Sequence, residues 1–172
     1  PVAPQNLHAI AQADMLILAS DAAYQSALRL AAAHREYQGL EVAVVRQAEL
    51  FNEFSSGAYH PNALRHLVMM LRQRGLRHLL IMGYGQGLPL KAGESIPAAN
   101  AVTFHTEYVD EDRYDSKNHC SDIYFTLTAD RVGNRITDPT VSIDLNVGRA
   151  PVRNAAEAEA FTDKCVAYLA DP

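Results

Sequence analysis

Seven histidines, two cysteines and twenty acidic residues supply the reactive side chains of this 172-residue chain, and their spacing limits what they can do. His119 and Cys120 are direct neighbours. A catalytic thiol needs its base within hydrogen-bond reach and that base held by a third group. Neighbours in an extended segment point to opposite faces, so the pair reads as a loop histidine beside a small cysteine. Cys165 falls on the apolar face of a helical pattern and reads as core. Glu107, Asp110, Glu111, Asp112 and Asp115 gather carboxylates in one segment. Oxygen-rich loops bind calcium, but the EF-hand spacing and its glycine are missing. Asp110, Asp112 and Asp115 therefore stand as calcium candidates against the simpler reading of a solvated charged face. No motif requires a cofactor.

Gly83-Tyr84-Gly85-Gln86-Gly87 follows an apolar strand pattern, as phosphate loops do. Such a loop needs a helix N-terminus directly after the glycines, because the free N–H groups there hold the phosphate. Leu88-Pro89-Leu90 is a poor helix start, and no Gly-Lys-Ser/Thr ending is present. The glycines read instead as a turn at the carboxyl edge of a sheet, the edge at which open α/β sheets bind ligands. There is no His-Glu-x-x-His for a zinc protease and no Gly-x-Ser-x-Gly elbow for a serine hydrolase. A phosphoryl-accepting receiver domain wants an acidic residue where Gly83 ends the third strand.

The length fits one domain with a sizeable core. A net charge of -5 with no Lys/Arg run argues against a nucleic-acid partner. No apolar run reaches the roughly 18 residues of a membrane span. The chain opens on Pro1, and residues 1–8 carry no basic start or apolar signal core, so it reads as an excised piece or a mature product. Two cysteines are too few for a disulfide framework or a four-cysteine zinc site. A single bridge between Cys120 and Cys165 stays open.

These residues need elements to position them. Residues 15–19 form a short apolar run, a buried strand. Ser20 or Asp21 caps a helix over residues 22–35 with Tyr24, Leu28, Ala31 and Ala32 on one face. A second strand covers residues 41–45 and a short helix residues 47–54, with a turn at Ser55-Ser56-Gly57. Pro61 opens the next helix, whose stripe is Leu64, Leu67, Val68 and Leu71 and whose stop is Gly75. The third strand is residues 78–82. This βαβαβ order predicts a parallel sheet between two helical layers. Residues 84–121 form a long functional loop with one short strand at residues 102–105. Strands follow at residues 123–128 and 141–147, with Gly133-Asn134 as a hairpin tip between them. A capping box at Asn154 and Glu157 starts the last helix, with Ala158, Phe161, Cys165 and Leu169 buried. Residues 1–172 make one α/β domain.

Several of these stretches resemble the gingipain-type cysteine peptidases, and within them the sortases of the type IX secretion system. They are Gln5-Asn6-Leu7-His8 with Ala13-Asp14-Met15-Leu16-Ile17, Asn52-Glu53-Phe54-Ser55-Ser56-Gly57 with Asn62-Ala63-Leu64-Arg65, Ser121-Asp122-Ile123-Tyr124-Phe125, and Val147-Gly148-Arg149-Ala150-Pro151-Val152. His60 departs from the aspartate usual there. The resemblance implies a caspase-like fold, three layers with a mostly parallel sheet, of which this chain is the amino-terminal subdomain. The family's catalytic histidine and cysteine are then expected beyond Pro172, with no catalytic residue in this chain. The cleft-lining candidates are Ser20, Asp21, Tyr84, Gln86, Asp122 and Arg149. The implied partners are the second peptidase subdomain and secreted protein cargo. The implied place is the outer membrane surface of a Gram-negative bacterium. This reading predicts an exposed apolar docking surface. The competing reading is a non-enzymatic α/β binding module that uses the loop after Gly83.

Overall fold

The computed structural model describes residues 5–85, 96–110, 115–127, 143 and 145–171. In chain order the elements are β1 (Met15–Ala19), α1 (Tyr24–Gln38), β2 (Val42–Arg46), α2 (Gln47–Phe54), α3 (Pro61–Arg72), β3 (His78–Met82), β4 (Tyr84–Gly85), β5 (Asn100–Ala101), β6 (His105–Asp110), β7 (Asp115–Cys120), β8 (Asn146–Ala150) and α4 (Ala155–Ala170). Two 3₁₀ segments, Leu7–Ala9 and Asp122–Thr126, complete them.

The main sheet has the order β2-β1-β3-β8 with every pair parallel. β1 is central and fully buried. Because strand side chains alternate between faces, it feeds two cores at once. Leu16 and Leu18 join Leu79 and Ile81 of β3 under α2 and α3. Met15, Ile17 and Ala19 join Met82 under α1 and α4. That is the three-layer α/β arrangement the sequence implies.

The helices form for local reasons that the sequence carries. In α3, Pro61 needs no N–H at the first helical position, and the His60 side chain accepts from Asn62 N–H. Leu64, Leu67, Val68 and Leu71 are fully buried along one stripe. Gly75, at φ 101°, turns the chain so that Leu76 N–H returns to Leu71 O. At α4, Asn154 Oδ1 accepts from Glu157 N at 2.9 Å, and Glu157 Oε2 accepts from Arg153 N at 2.9 Å.

Five expectations need correction. α1 begins at Tyr24 with no side-chain cap, so neither Ser20 nor Asp21 caps it. Its buried residues are Ala27, Leu30, Ala31 and Ala33, while Leu28 and Ala32 face outward. The small alanines let α1 lie close on the sheet and beside α4, which leaves the larger Leu28 at the rim. Of residues 123–128, the described ones, 123–127, do not form a strand. Residues 124–127 are buried in succession, a pattern that a two-sided strand on the sheet surface does not give. Tyr124 stacks on Phe104 with centroids 3.5 Å apart, and Arg65 Nε donates to Leu127 O at 3.0 Å. Residues 102–105 do not form one strand either, because side chains take up the backbone groups there, as described below. Of residues 141–147, the described residues 143 and 145 lie outside a strand and β8 covers Asn146–Ala150. Gly133-Asn134 lies outside the described residues.

Two tests follow from this packing. Leu67→Ala should lose about 2–5 kcal/mol of unfolding free energy in a urea titration, the range for emptying a filled core site. Leu28→Ala should change it by less than about 0.5 kcal/mol. Asp14 anchors the start of β1: its carboxylate accepts from Glu41 N and from Arg77 Nη2, each at 2.9 Å. These bonds, the backbone one first, hold its pKa below the ordinary 3.8. A lowered pKa gives stability that is present above the unfolded value and lost as pH falls through the folded one. Asp14→Asn should therefore flatten the fall in stability below about pH 3.8, read from urea midpoints across the acid range.

Candidate functional site

Chain connections leave β1 for β2 on one side and β3 for β8 on the other. Their carboxyl ends thus bound the switch point where doubly wound sheets hold ligands. Here the chain itself fills that crevice. Ala22 N donates to Ala98 O at 3.0 Å, Tyr84 N donates to Ala99 O at 2.9 Å, and β4 pairs with β5. Ala101 and Val102 are fully buried. A Cβ on Gly83 would meet Ala101 Cβ at 2.8 Å and Ser20 Cβ at 3.0 Å, and its φ of 151° disfavours any side chain. Glycine at this position is what lets residues 98–102 lie on the strand ends.

Side chains then bind that segment as a neighbouring strand would. Gln47 Nε2 donates to Asn100 O at 2.9 Å, and Gln47 Oε1 accepts from Val102 N at 2.8 Å. Tyr59 Oη accepts from Thr103 N at 3.1 Å and donates to Thr103 O at 3.2 Å. Burial pushes the Tyr59 hydroxyl pKa above its ordinary value, opposed by the Thr103 bond and by Arg149.

The remaining tie is Arg149, at the carboxyl end of β8. Its Nε and Nη2 donate to Asp122 Oδ2 and Oδ1 at 2.8 and 2.6 Å. Nη2 also donates to Val102 O at 2.7 Å, and Nη1 to Gly83 O at 3.2 Å. A planar guanidinium offers five donors in a fixed fork, which suits one carboxylate and two carbonyls together.

Of the six cleft candidates, the structure joins Asp122 and Arg149 and brings the backbone before Tyr84 to them. Tyr84 itself is 41% exposed, with the Arg153 guanidinium 5.0 Å from its ring centroid. Ser20 is fully buried, and its Oγ has no hydrogen-bond partner among the described residues. Asp21 faces Arg46 Nε at 3.5 Å. It opens a groove of about 360 Å³ lined by Gln47, Phe51, Tyr59 and Ile96. Gln86 lies outside the described residues, as does Asp112. Asp110 and Asp115 are backbone register partners at the end of the β6–β7 pair. No cluster of three metal-ligating side chains occurs among the described residues.

Sequence reasoning missed Gln47 and Tyr59, whose partners lie 44 to 55 residues away and carry no local pattern. It rejected His119 as a partner of Cys120 and did not see His105, whose Nδ1 is 3.6 Å from Cys120 Sγ across the β6–β7 pair. Among the described residues no third group orients that ring, since His105 Nε2 is buried with no partner among them. Cys165 packs against the α1/α4 core, and burial pushes its thiol pKa up. Both cysteines are thiols. Large exposed apolar residues among those described are Leu28 and Tyr37 on α1, Tyr168 on α4, and Tyr84, Ile123 and Ile143 outside the four α-helices.

Arg149→Met should cost about 3 kcal/mol in urea unfolding, because it leaves a part-buried carboxylate and two carbonyls unpaired. Arg149→Lys should recover only a fraction, having no fork. Adding Asp122→Asn to Arg149→Met should lose less than the two single changes summed, which a double-mutant cycle reads directly.

The comparisons with known proteins agree with this geometry. The model of peptidase family C25 matches residues 8–172. Among solved structures, the crystal structure of dimeric latent PorU from Porphyromonas gingivalis is similar, with a TM-score of 0.75 and 29% sequence identity. The match covers 95% of this chain and 16% of that one, so the chain spans only a small part of the PorU length. No curated protein matches. A parallel β2-β1-β3-β8 sheet between two helical layers is the caspase-like arrangement implied by the sequence, and with a family match over residues 8–172 this chain belongs to peptidase family C25, the gingipain-type peptidases.

Proposed function

We propose that this chain is the amino-terminal, non-catalytic subdomain of a gingipain-like cysteine endopeptidase of the type IX sortase kind. Such an enzyme would remove carboxyl-terminal signals from secreted cargo at the outer membrane surface. The observation that carries the reading is the family match over residues 8–172 on a chain that spans 16% of PorU. The chemistry is consistent with it. A thiol protease needs nucleophile, oriented base and oxyanion donors together. Cys165 is packed on a helix, and Cys120 faces a histidine whose other nitrogen is unheld. In the whole enzyme a histidine-activated thiolate from the second subdomain would attack the peptide carbonyl, and this half would supply a rigid wall.

The competing reading, a module that binds a small ligand after Gly83, is weakened by the switch point being filled with residues 98–102. No helix among the described residues is long and apolar enough to cross a membrane.

The test is a protease assay with a fluorogenic peptide mixture. The chain alone should hydrolyse none of it. The parent protein should hydrolyse some, and lose that activity to iodoacetamide and to substitution of a cysteine outside residues 1–172. Hydrolysis by the chain alone that vanishes in Cys120→Ala would overturn the proposal.

A further inference from the structure

Cys120 and His105 form a contact that neither the Arg149 tie nor the peptidase reading uses. They are register partners at the base of the β6–β7 pair. One step outward, Ser121 N donates to Phe104 O at 3.0 Å. Antiparallel ladders alternate bonded with non-bonded pairs, so His105 and Cys120 make the non-bonded kind, in which side chains on one face stand closest. That explains why Sγ comes to 3.6 Å from His105 Nδ1 without any turn or insertion. Cys120 is exposed. The two cysteines are thus sharply different. Cys165 packs against the α1/α4 core, and burial disfavours its thiolate. Cys120 has a solvent path and a base at its sulfur.

Two other uses of the pair are weaker. A zinc or copper site would need a third ligand, and no such cluster occurs among the described residues. A peptidase dyad would need the imidazole held by a further group, and Nε2 is buried without one. A single proton transfer over one contact needs neither.

We propose that Cys120 is a thiol–disulfide exchange site for small organic disulfides, with His105 as its general base. In the tautomer whose Nδ1 lone pair faces sulfur, His105 takes the Cys120 proton. The sulfur electron pair attacks one sulfur of the disulfide, and the S–S bond breaks. A Cys120 mixed disulfide forms, the second sulfur departs with the bonding pair as a thiolate, and the proton on His105 passes to that thiolate or, where it is a weak base, to water. Cys120 is oxidised and the released half is reduced, so no other oxidant is needed.

The probe is dithiobis(nitrobenzoate), whose released thiolate is coloured, added in excess to the folded chain at neutral pH. The expected release has a fast phase absent from Cys120→Ala and a slow phase absent from Cys165→Ala. His105→Gln should slow the fast phase about tenfold or more, and added free imidazole should restore part of it. A fast phase that survives Cys120→Ala would overturn the site. An unchanged rate in folded His105→Gln would overturn the role of His105. If His105→Gln does not fold, the wild-type chain decides. Cys120 should react faster in the native chain than in guanidinium-unfolded chain at the same pH, and an equal or slower native rate would overturn the proposal.

Discussion

Arg149 Nη2 donates to both Asp122 Oδ1 and Val102 O, while Nη1 reaches Gly83 O. One guanidinium at the end of β8 therefore joins the end of β3, the segment that fills the switch point, and the start of the 3₁₀ turn at Asp122. These parts are far apart in sequence and have little regular structure of their own to hold them. A carboxylate and two carbonyls converging on a site that is only partly exposed would be unfavourable without a cation. Arg149 and Asp122 are 14% and 23% exposed as side chains, so the pair is screened less than a surface bridge. A lysine could supply the charge but not the three divergent directions.

The filled crevice follows from the same tie. Open α/β sheets leave the switch point free because loops part there. In this chain Gly83 removes the side chain that would hold residues 98–102 off, and Gln47 and Tyr59 satisfy the backbone groups that a strand partner would otherwise take. A buried backbone needs its polar groups paired, and here side chains from α2 and from the loop before α3 do the pairing. This also accounts for the lack of strand at Val102 and Thr103: their N–H and C=O groups are engaged, but with side chains. The result is a corner whose backbone groups are paired by side chains from three elements.

What could be read from the sequence was what depends on neighbours in the chain. Met15–Ala19, Gln47–Phe54 and His78–Met82 coincide with the segments their patterns predict, and the stripe of α3 is buried as its spacing requires. Pairing Arg149 with Asp122 was out of reach, although both stood among the candidate residues, because 27 residues separate them and many lack a periodic pattern. α1 misled for a different reason. Its run of alanines fits several helical faces equally well, and hydrophobicity alone cannot tell a close-packing Ala from one at the rim. The 3₁₀ turn at Asp122 misled because the alternation of Ile123, Tyr124, Phe125 and Thr126 suits a strand. Stacking of Tyr124 on Phe104 decides otherwise, and that contact is tertiary.

The placement of Cys120 shows how register can create chemistry that spacing denies. In sequence its neighbour is His119, which strand spacing alone argues against as a partner. Across the ladder it meets His105, because an antiparallel register puts partners on the same face. Moving the register by one residue would set Cys120 opposite Phe104 or Thr106 and leave the sulfur without an imidazole. The Ser121–Phe104 backbone bond fixes the register at this end. Phe104 is in turn stacked on Tyr124, whose hydroxyl donates to Asn62 at the start of α3. The thiol–imidazole contact is therefore set by the core beneath the β6–β7 pair.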